Sequence, residues 1–167
     1  PDGRDVIEIF RFGRQLYGER LCISDYVLNA ASQTPDYLCF FVTSVGPGVR
    51  TLANTWIANG DYLEAHILQV LALEGAEALA EILHQKIRAM WGFADRSDIS
   101  KQDLFRANYS GRRYSFGYPA CPRLEDQVQL WRLLEPEKRL SVSLTEGFMM
   151  DPEASVSAMV LHHPQAK

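Results

Sequence analysis

The chain holds 167 residues, of which 47% are apolar, so it can bury one sizeable core and form a single domain. Its 17 Lys and Arg against 21 Asp and Glu leave a net charge of −4, with a pI near 5.6, which removes the phosphate attraction on which binders of nucleic acid and of anionic membranes depend. No apolar run reaches the roughly 20 residues of a membrane-spanning helix, and no basic-then-apolar leader opens the sequence, so neither nucleic acid nor membrane is an expected partner and the expected setting is cytoplasmic.

In chain order, residues 6–12 carry Val6, Ile7, Ile9, Phe10 and Phe12 and predict a first strand. Residues 37–43 are aromatic and β-branched, apolar on both faces, and bounded by Pro35-Asp36 and Gly46-Pro47-Gly48, which predicts a strand inside a sheet. Val49, Leu52, Ala53, Trp56 and Ile57 then share one helical face, and Asn59-Gly60 supplies a left-handed stop. Asp61 with Glu64 predicts a capping box and a long helix over residues 62–91. Its first half is apolar nearly all round (Leu63, Ile67, Leu68, Val70, Leu71, Leu73) and is expected to be buried. Its second half gathers Glu74, Glu77, Glu81, His84, Gln85 and Arg88 into a polar stripe.

Beyond Gly92, Ser100 with Asp103 predicts a short capped helix reaching Arg106. Gly111, Gly117, Pro119 and Pro122 interrupt any ladder over residues 109–122, so an irregular segment is expected there. Leu124, Val128, Trp131 and Leu134 predict a further helix, started by Pro122 and stopped by Pro136. Residues 141–144 and 155–161 read as strands. The alternation of elements points to an α+β fold with an antiparallel or mixed sheet.

Chemistry is sparse outside two features. No GxSxG, HExxH, GxxxxGK[ST] or GxGxxG is present. The adjacent His162 and His163 would point to opposite faces of a strand, and His66 and His84 sit 18 residues apart without partner ligands, so no metal site is expected. Cys22, Cys39 and Cys121 lack CxxC spacing and fit free thiols in a reducing compartment. Glu77 and Glu81 are like charges one helical turn apart, which calls for compensation by His84, Arg88 or a cationic ligand, or else marks a solvated face. The loop Arg112-Arg113-Tyr114-Ser115-Phe116-Gly117-Tyr118-Pro119-Ala120-Cys121-Pro122 combines a guanidinium fork suited to a carboxylate, a glycine and three aromatic rings. Those residues suit a ligand loop or an ordered loop packing its rings on the core.

The run Arg113-Tyr114-Ser115-Phe116-Gly117-Tyr118-Pro119-Ala120-Cys121-Pro122, followed by Leu124-Glu125 and Trp131-Arg132-Leu133-Leu134, resembles the activation domain of cobalamin-dependent methionine synthase. So do LTEGFMMDPEASVSAMVLHHP over residues 144–164, the helical segment 74–91 and residues 36–46. The likeness runs over the whole chain. It implies one domain, residues 1–167, truncated at both ends: a C-shaped α+β fold with a twisted antiparallel or mixed sheet and one long helix. It further implies a module that binds S-adenosylmethionine and presents its methyl group to cobalamin held by a neighbouring cobalamin-binding domain. Flavodoxin or a flavoprotein reductase is then the electron donor for reductive reactivation.

Carried over by motif, Arg113 is expected to hold the ligand's carboxylate and Ser115 to sit where the loop offers backbone contacts. Tyr118 is expected to line the site and Glu77 to contribute its negative side. No catalytic residue or metal ligand is expected within the chain. The sequence departs from the family where Ala107 stands in place of a common glutamate, where Arg-Tyr-Ser-Phe-Gly-Tyr-Pro replaces Arg-Pro-Ala-Pro-Gly-Tyr-Pro, and in lacking a Trp-x-Pro-Phe-Phe segment and a pair of aromatic residues beyond the equivalent of Lys167. The alternatives are a non-catalytic module capping a cobalamin-binding domain, and a free-standing homologue serving another corrinoid protein.

Overall fold

A computed structural model describes residues 5–32 and 34–166. Its frame is a three-stranded antiparallel sheet of β1 (Leu38–Ser44), β2 (Arg113–Tyr114) and β5 (Ser155–Leu161), in the order β1-β5-β2. The register runs from Leu38 opposite Leu161 to Ser44 opposite Ser155, and Arg113 and Tyr114 face Val160 and Met159. A second, two-stranded sheet joins β3 (Ser143–Leu144) to β4 (Met150–Asp151). The fold is α+β, with an antiparallel sheet and one long helix.

β5 is buried along its whole length because both of its faces are covered. Val156, Ala158 and Val160 pack with Phe41 on one side against Ala76, Ala80 and Ile87 of the long helix. Met159 and Leu161 pack on the other side with Ile23, Tyr114, Phe116 and Leu130. The alternation of a strand thus separates two cores with one seven-residue segment. It also decides the site, because Arg113 lies on the helix side of β2 and Tyr114 on the opposite side.

The long helix α2 (Tyr62–Met90) follows α1 (Gly48–Asn59), and Gly60 at φ 91° makes the left-handed stop between them. The Asp61 side chain makes no cap hydrogen bond, so the predicted capping box does not form. Burial along α2 is the reverse of the expectation. Leu63, Ile67, Val70 and Leu71 in the first half are exposed, whereas Ala72, Ala76, Ala80, His84, Ile87 and Arg88 are buried. The alanines let the helix backbone approach the sheet closely, and the first half reaches past the sheet to pair with α1. No described helix is long and apolar enough to cross a membrane.

Other differences have local causes. Residues 6–12 form no strand among the described residues. Phe10 instead packs on Phe40, with ring centroids 5.1 Å apart, and the Ile9 carbonyl accepts a hydrogen bond from Gln129 at 2.6 Å. β1 lies at the edge of the described sheet, and the centre belongs to β5. The irregular loop does contain the two-residue β2, drawn into the ladder by β5. α3 (Lys101–Phe105) has the predicted Ser100 and Asp103 capping box. Within the next predicted helix, a 3₁₀ turn at Leu124–Asp126 precedes α4 (Gln127–Leu134). Pro136 occupies the first turn of α5 (Pro136–Leu140), where its missing N–H costs nothing. The expected truncation at both ends falls at Pro1 and Lys167, outside the described residues.

Candidate functional site

The residues Glu77, Glu81, His84 and Arg88 recur every three or four positions, so they line one side of α2. That side faces β2, where Arg113 projects. Arg113 Nη1 donates to Glu81 Oε2 at 2.5 Å, and Nη2 donates to Glu77 Oε2 at 3.4 Å. The Glu77 side chain is 58% exposed and the Glu81 side chain 23%, so the inner carboxylate is the firmer anchor. Burial works against the Arg113 charge, but hydrogen bonding and attraction to Glu81 outweigh it and raise its pKa above the ordinary arginine value.

The loop after β2 is closed by its own bonds. Ser115 Oγ donates to the Ser157 carbonyl on β5 at 2.8 Å, the Gly117 N–H donates to the Cys121 carbonyl at 2.9 Å, and the Cys121 N–H donates to the Tyr118 carbonyl at 2.9 Å. Gly117 has φ 91°, a conformation that favours glycine, and a Cβ there would meet Leu124 Cδ1 at 3.2 Å. The turn buries Phe116 in the core and leaves Tyr118 66% exposed. Burial pushes the Cys121 thiol up to about 11, so it stays protonated. No disulfide links the three cysteines.

Glu77, Arg113, Ser115 and Tyr118 therefore meet on one open cleft of about 430 Å³, together with Gln15 and Pro119. An adjoining hollow of about 350 Å³ shares Glu77, Ser115 and Tyr118, and continues along Gln127, Met149 and Met150. Together they fall within the size range of small-molecule sites. The chemical offer is a guanidinium beside carboxylates, with an exposed phenol ring near both: groups for a zwitterion carrying an additional cation and a flat ring.

Four further residues stand behind this cleft. Arg88 has no exposed side-chain surface and pairs with Asp95 through two bonds, Nε to Oδ1 at 2.8 Å and Nη2 to Oδ2 at 2.6 Å. The Arg88 guanidinium lies 3.7 Å from the centre of the Tyr109 ring. Tyr109 donates its hydroxyl to Glu81 Oε2 at 3.2 Å, and His84 meets the Tyr109 ring edge-on with centroids 5.5 Å apart. Burial pushes the Asp95 carboxyl up, yet the Arg88 hydrogen bonds and charge hold it below the usual range. Burial, helped by the Glu81 charge, raises the Tyr109 pKa and keeps its hydroxyl a donor. His84 is driven down to about 3 by burial and then by the Arg88 and Arg113 charges, so it is neutral at pH 7. Neither of its ring nitrogens has a hydrogen-bonding partner among the described residues.

Tyr109 and Asp95 carried no sequence signal beyond their place in polar connections. Glu81 stood in the stripe, and its spacing of seven from Arg88 was the available clue. Ala107 has φ 52°, and its carbonyl accepts from Arg112. It lines a separate hollow with Asp95 and Tyr109, to which it brings no charge.

The model of the family described as vitamin B12 dependent methionine synthase, activation domain, matches residues 9–167. The chain belongs to this activation-domain family. Methionine synthase of Mycobacterium tuberculosis (strain ATCC 25618 / H37Rv) is 41% identical over 171 residues, covering 95% of this chain. Methionine synthase of Mycobacterium leprae (strain TN) is 37% identical over the same share. The chain spans 14% of the length of each of these curated relatives. A solved MetH reactivation domain bound to AdoHcy superposes with a TM-score of 0.92 at 36% identity, over 100% of this chain and 53% of that one. This activation domain is homologous to part of a methyltransferase, and its antiparallel α+β architecture is that of the solved reactivation domain.

Proposed function

We propose that this activation domain binds S-adenosylmethionine in the cleft of Glu77, Arg113, Ser115 and Tyr118, as the reactivation module of a cobalamin-dependent methionine synthase. The observation that carries the reading is the Arg113 fork held beside two carboxylates at the mouth of one cleft. The ligand's α-carboxylate takes Arg113, displacing the loose Glu77 contact, an exchange that costs little because an exposed ion pair contributes about 0–1 kcal/mol. Glu77, once released, faces the ligand's ammonium or sulfonium. Ser115 holds the loop to β5 so that its backbone faces the cleft, and Tyr118 offers a ring to the adenine. The AdoHcy bound to the solved relative supports this ligand class.

In the complete enzyme, cobalamin carried by a neighbouring cobalamin-binding domain would supply the metal centre that accepts the methyl group. This chain's residues bind and orient the donor, and the chain is not catalytically self-sufficient. An external one-electron donor, flavodoxin or a flavoprotein reductase, belongs to this reading, as does a cytoplasmic setting. Neither a free-standing homologue nor a ligand-free cap is favoured by relatives that are methionine synthases.

Calorimetric titration of S-adenosylmethionine into the protein with its natural flanks tests the proposal. Arg113→Ala removes a charge-assisted pair contributing about 1.5–3 kcal/mol, so affinity should fall roughly 10- to 100-fold. Unchanged affinity would overturn the assignment.

A further inference from the structure

Glu81 is where the cleft and the buried cluster behind it join. Its Oε2 accepts from Arg113 at 2.5 Å and from Tyr109 at 3.2 Å, and its Oε1 accepts from Arg88 at 3.4 Å. Arg88 is in turn fixed by its two hydrogen bonds to Asp95 and by the Tyr109 face. Each of these partners is largely removed from solvent, so the Glu81 carboxylate has little freedom to turn. Arg113 is consequently gripped at one edge, through Nη1, while among the described residues Nη2 reaches only the half-exposed Glu77.

We propose that Glu81, pinned by Tyr109 and Arg88, is the positioning residue of the cleft: it fixes Arg113 through Nη1 and leaves Nη2, on the Glu77 side, to select ligands carrying an α-carboxylate. The inference rests on the reading of Arg113 given above. A planar guanidinium recognises a carboxylate through its in-plane edge, so a rotation of the fork forfeits the second bond even though the charge is retained. Holding the fork before the ligand arrives removes an ordering cost from binding. Glu81 touches no ligand atom in this scheme; it acts through Arg113.

The discriminating experiment compares S-adenosylmethionine with decarboxylated S-adenosylmethionine, which keeps the sulfonium, the amine and the nucleoside. Affinities are measured by calorimetry on the protein with its natural flanks, for wild type, Glu81→Gln, Tyr109→Phe and Arg113→Ala. Glu81→Gln should weaken S-adenosylmethionine about tenfold and leave the decarboxylated compound within twofold. Tyr109→Phe keeps the ring under Arg88 and removes only the hydroxyl that holds Glu81, so it should give the same selective loss at about two- to fourfold. It serves where Glu81→Gln does not fold. Equal loss for both ligands would mean that Glu81 acts on the cation or on the fold, and would overturn the proposal, as would no loss for either. If wild type and Arg113→Ala both fail to distinguish the two ligands, the reading of the cleft itself falls and this proposal falls with it.

Discussion

Arg88 and Asp95 form the pair whose removal should be felt most. Arg88 has no exposed side-chain surface and Asp95 only 4%, and the two share bonds of 2.6 and 2.8 Å. Breaking such a pair from one side leaves a buried charge unmatched, at about 3–5 kcal/mol. In Asp95→Ala the guanidinium still keeps Glu81 at 3.4 Å and the Tyr109 ring at 3.7 Å, a contact contributing about 1 kcal/mol, so the lower end, about 3 kcal/mol, is expected. Urea denaturation at pH 7 reads this directly: with a slope of about 2 kcal/mol/M, the midpoint falls by about 1.5 M. The double variant Arg88→Met with Asp95→Ala removes both charges and keeps the volume of the long side chain. It should recover at least half of the loss. A loss below about 1 kcal/mol in Asp95→Ala, or a double variant less stable than the single, would refute the claim that this buried pair is matched only as a pair.

His84 should make the fold sensitive to mild acid. Its folded pKa is depressed to about 3 from 6.5, so the unfolded chain takes up the proton first as pH falls. The stability is complete above about pH 6.5 and is lost between there and pH 3, at about 1.4 kcal/mol per pH unit. His84→Phe, which keeps the edge-on contact with Tyr109, should flatten denaturation midpoints measured from pH 4.5 to 6.5; equal slopes in both proteins would show that the imidazole protonates within the fold. Gly117→Ala should destabilise by about 1–2 kcal/mol, because the residue has φ 91° and the new methyl would meet Leu124 at 3.2 Å. Thermal melting checks it, at about 2–4 °C per kcal/mol for a domain of this size. An unchanged melting temperature would mean that the turn adopts another conformation.

What was legible in the sequence was whatever local chemistry decides. Gly60 ends α1 because a left-handed residue is needed there, Ser100 and Asp103 start α3 through their own side chains, and β1 is recognisable because residues 37–43 are aromatic and β-branched between turn residues. Elements that depend on a distant template were not legible. β2 and β4 are two residues each, and Arg113 enters a ladder only because β5 offers an open edge. On α2, hydrophobicity counted residue by residue pointed to the wrong half, since alanines make the sheet contact while the larger Leu63 and Leu71 look outward. The site divides in the same way. Arg113, Ser115 and Tyr118 sit within six residues of one another and are recognisable as a loop. Glu81 meets Arg113 across 32 positions and Tyr109 across 28, separations that no local pattern encodes.

The stripe on α2 follows from the same geometry. Glu77 and Glu81 one turn apart cost an isolated helix about 0.2–0.5 kcal/mol, whereas a hydrogen bond to a charged partner returns about 1.5–3. Arg113 and Arg88 more than offset the repulsion, so the like charges persist without a ligand. The balance still differs along the helix. Arg88 is matched by Asp95 in the interior, which leaves Glu77 at the cleft and Glu81 behind it against the guanidinium of Arg113, and the adjoining hollow adds Glu153. Carboxylates therefore outnumber the guanidinium where the ligand enters. S-adenosylmethionine carries two positive groups and one carboxylate, and on the proposed reading its single positive surplus answers that excess, while its carboxylate has a guanidinium already oriented to receive it.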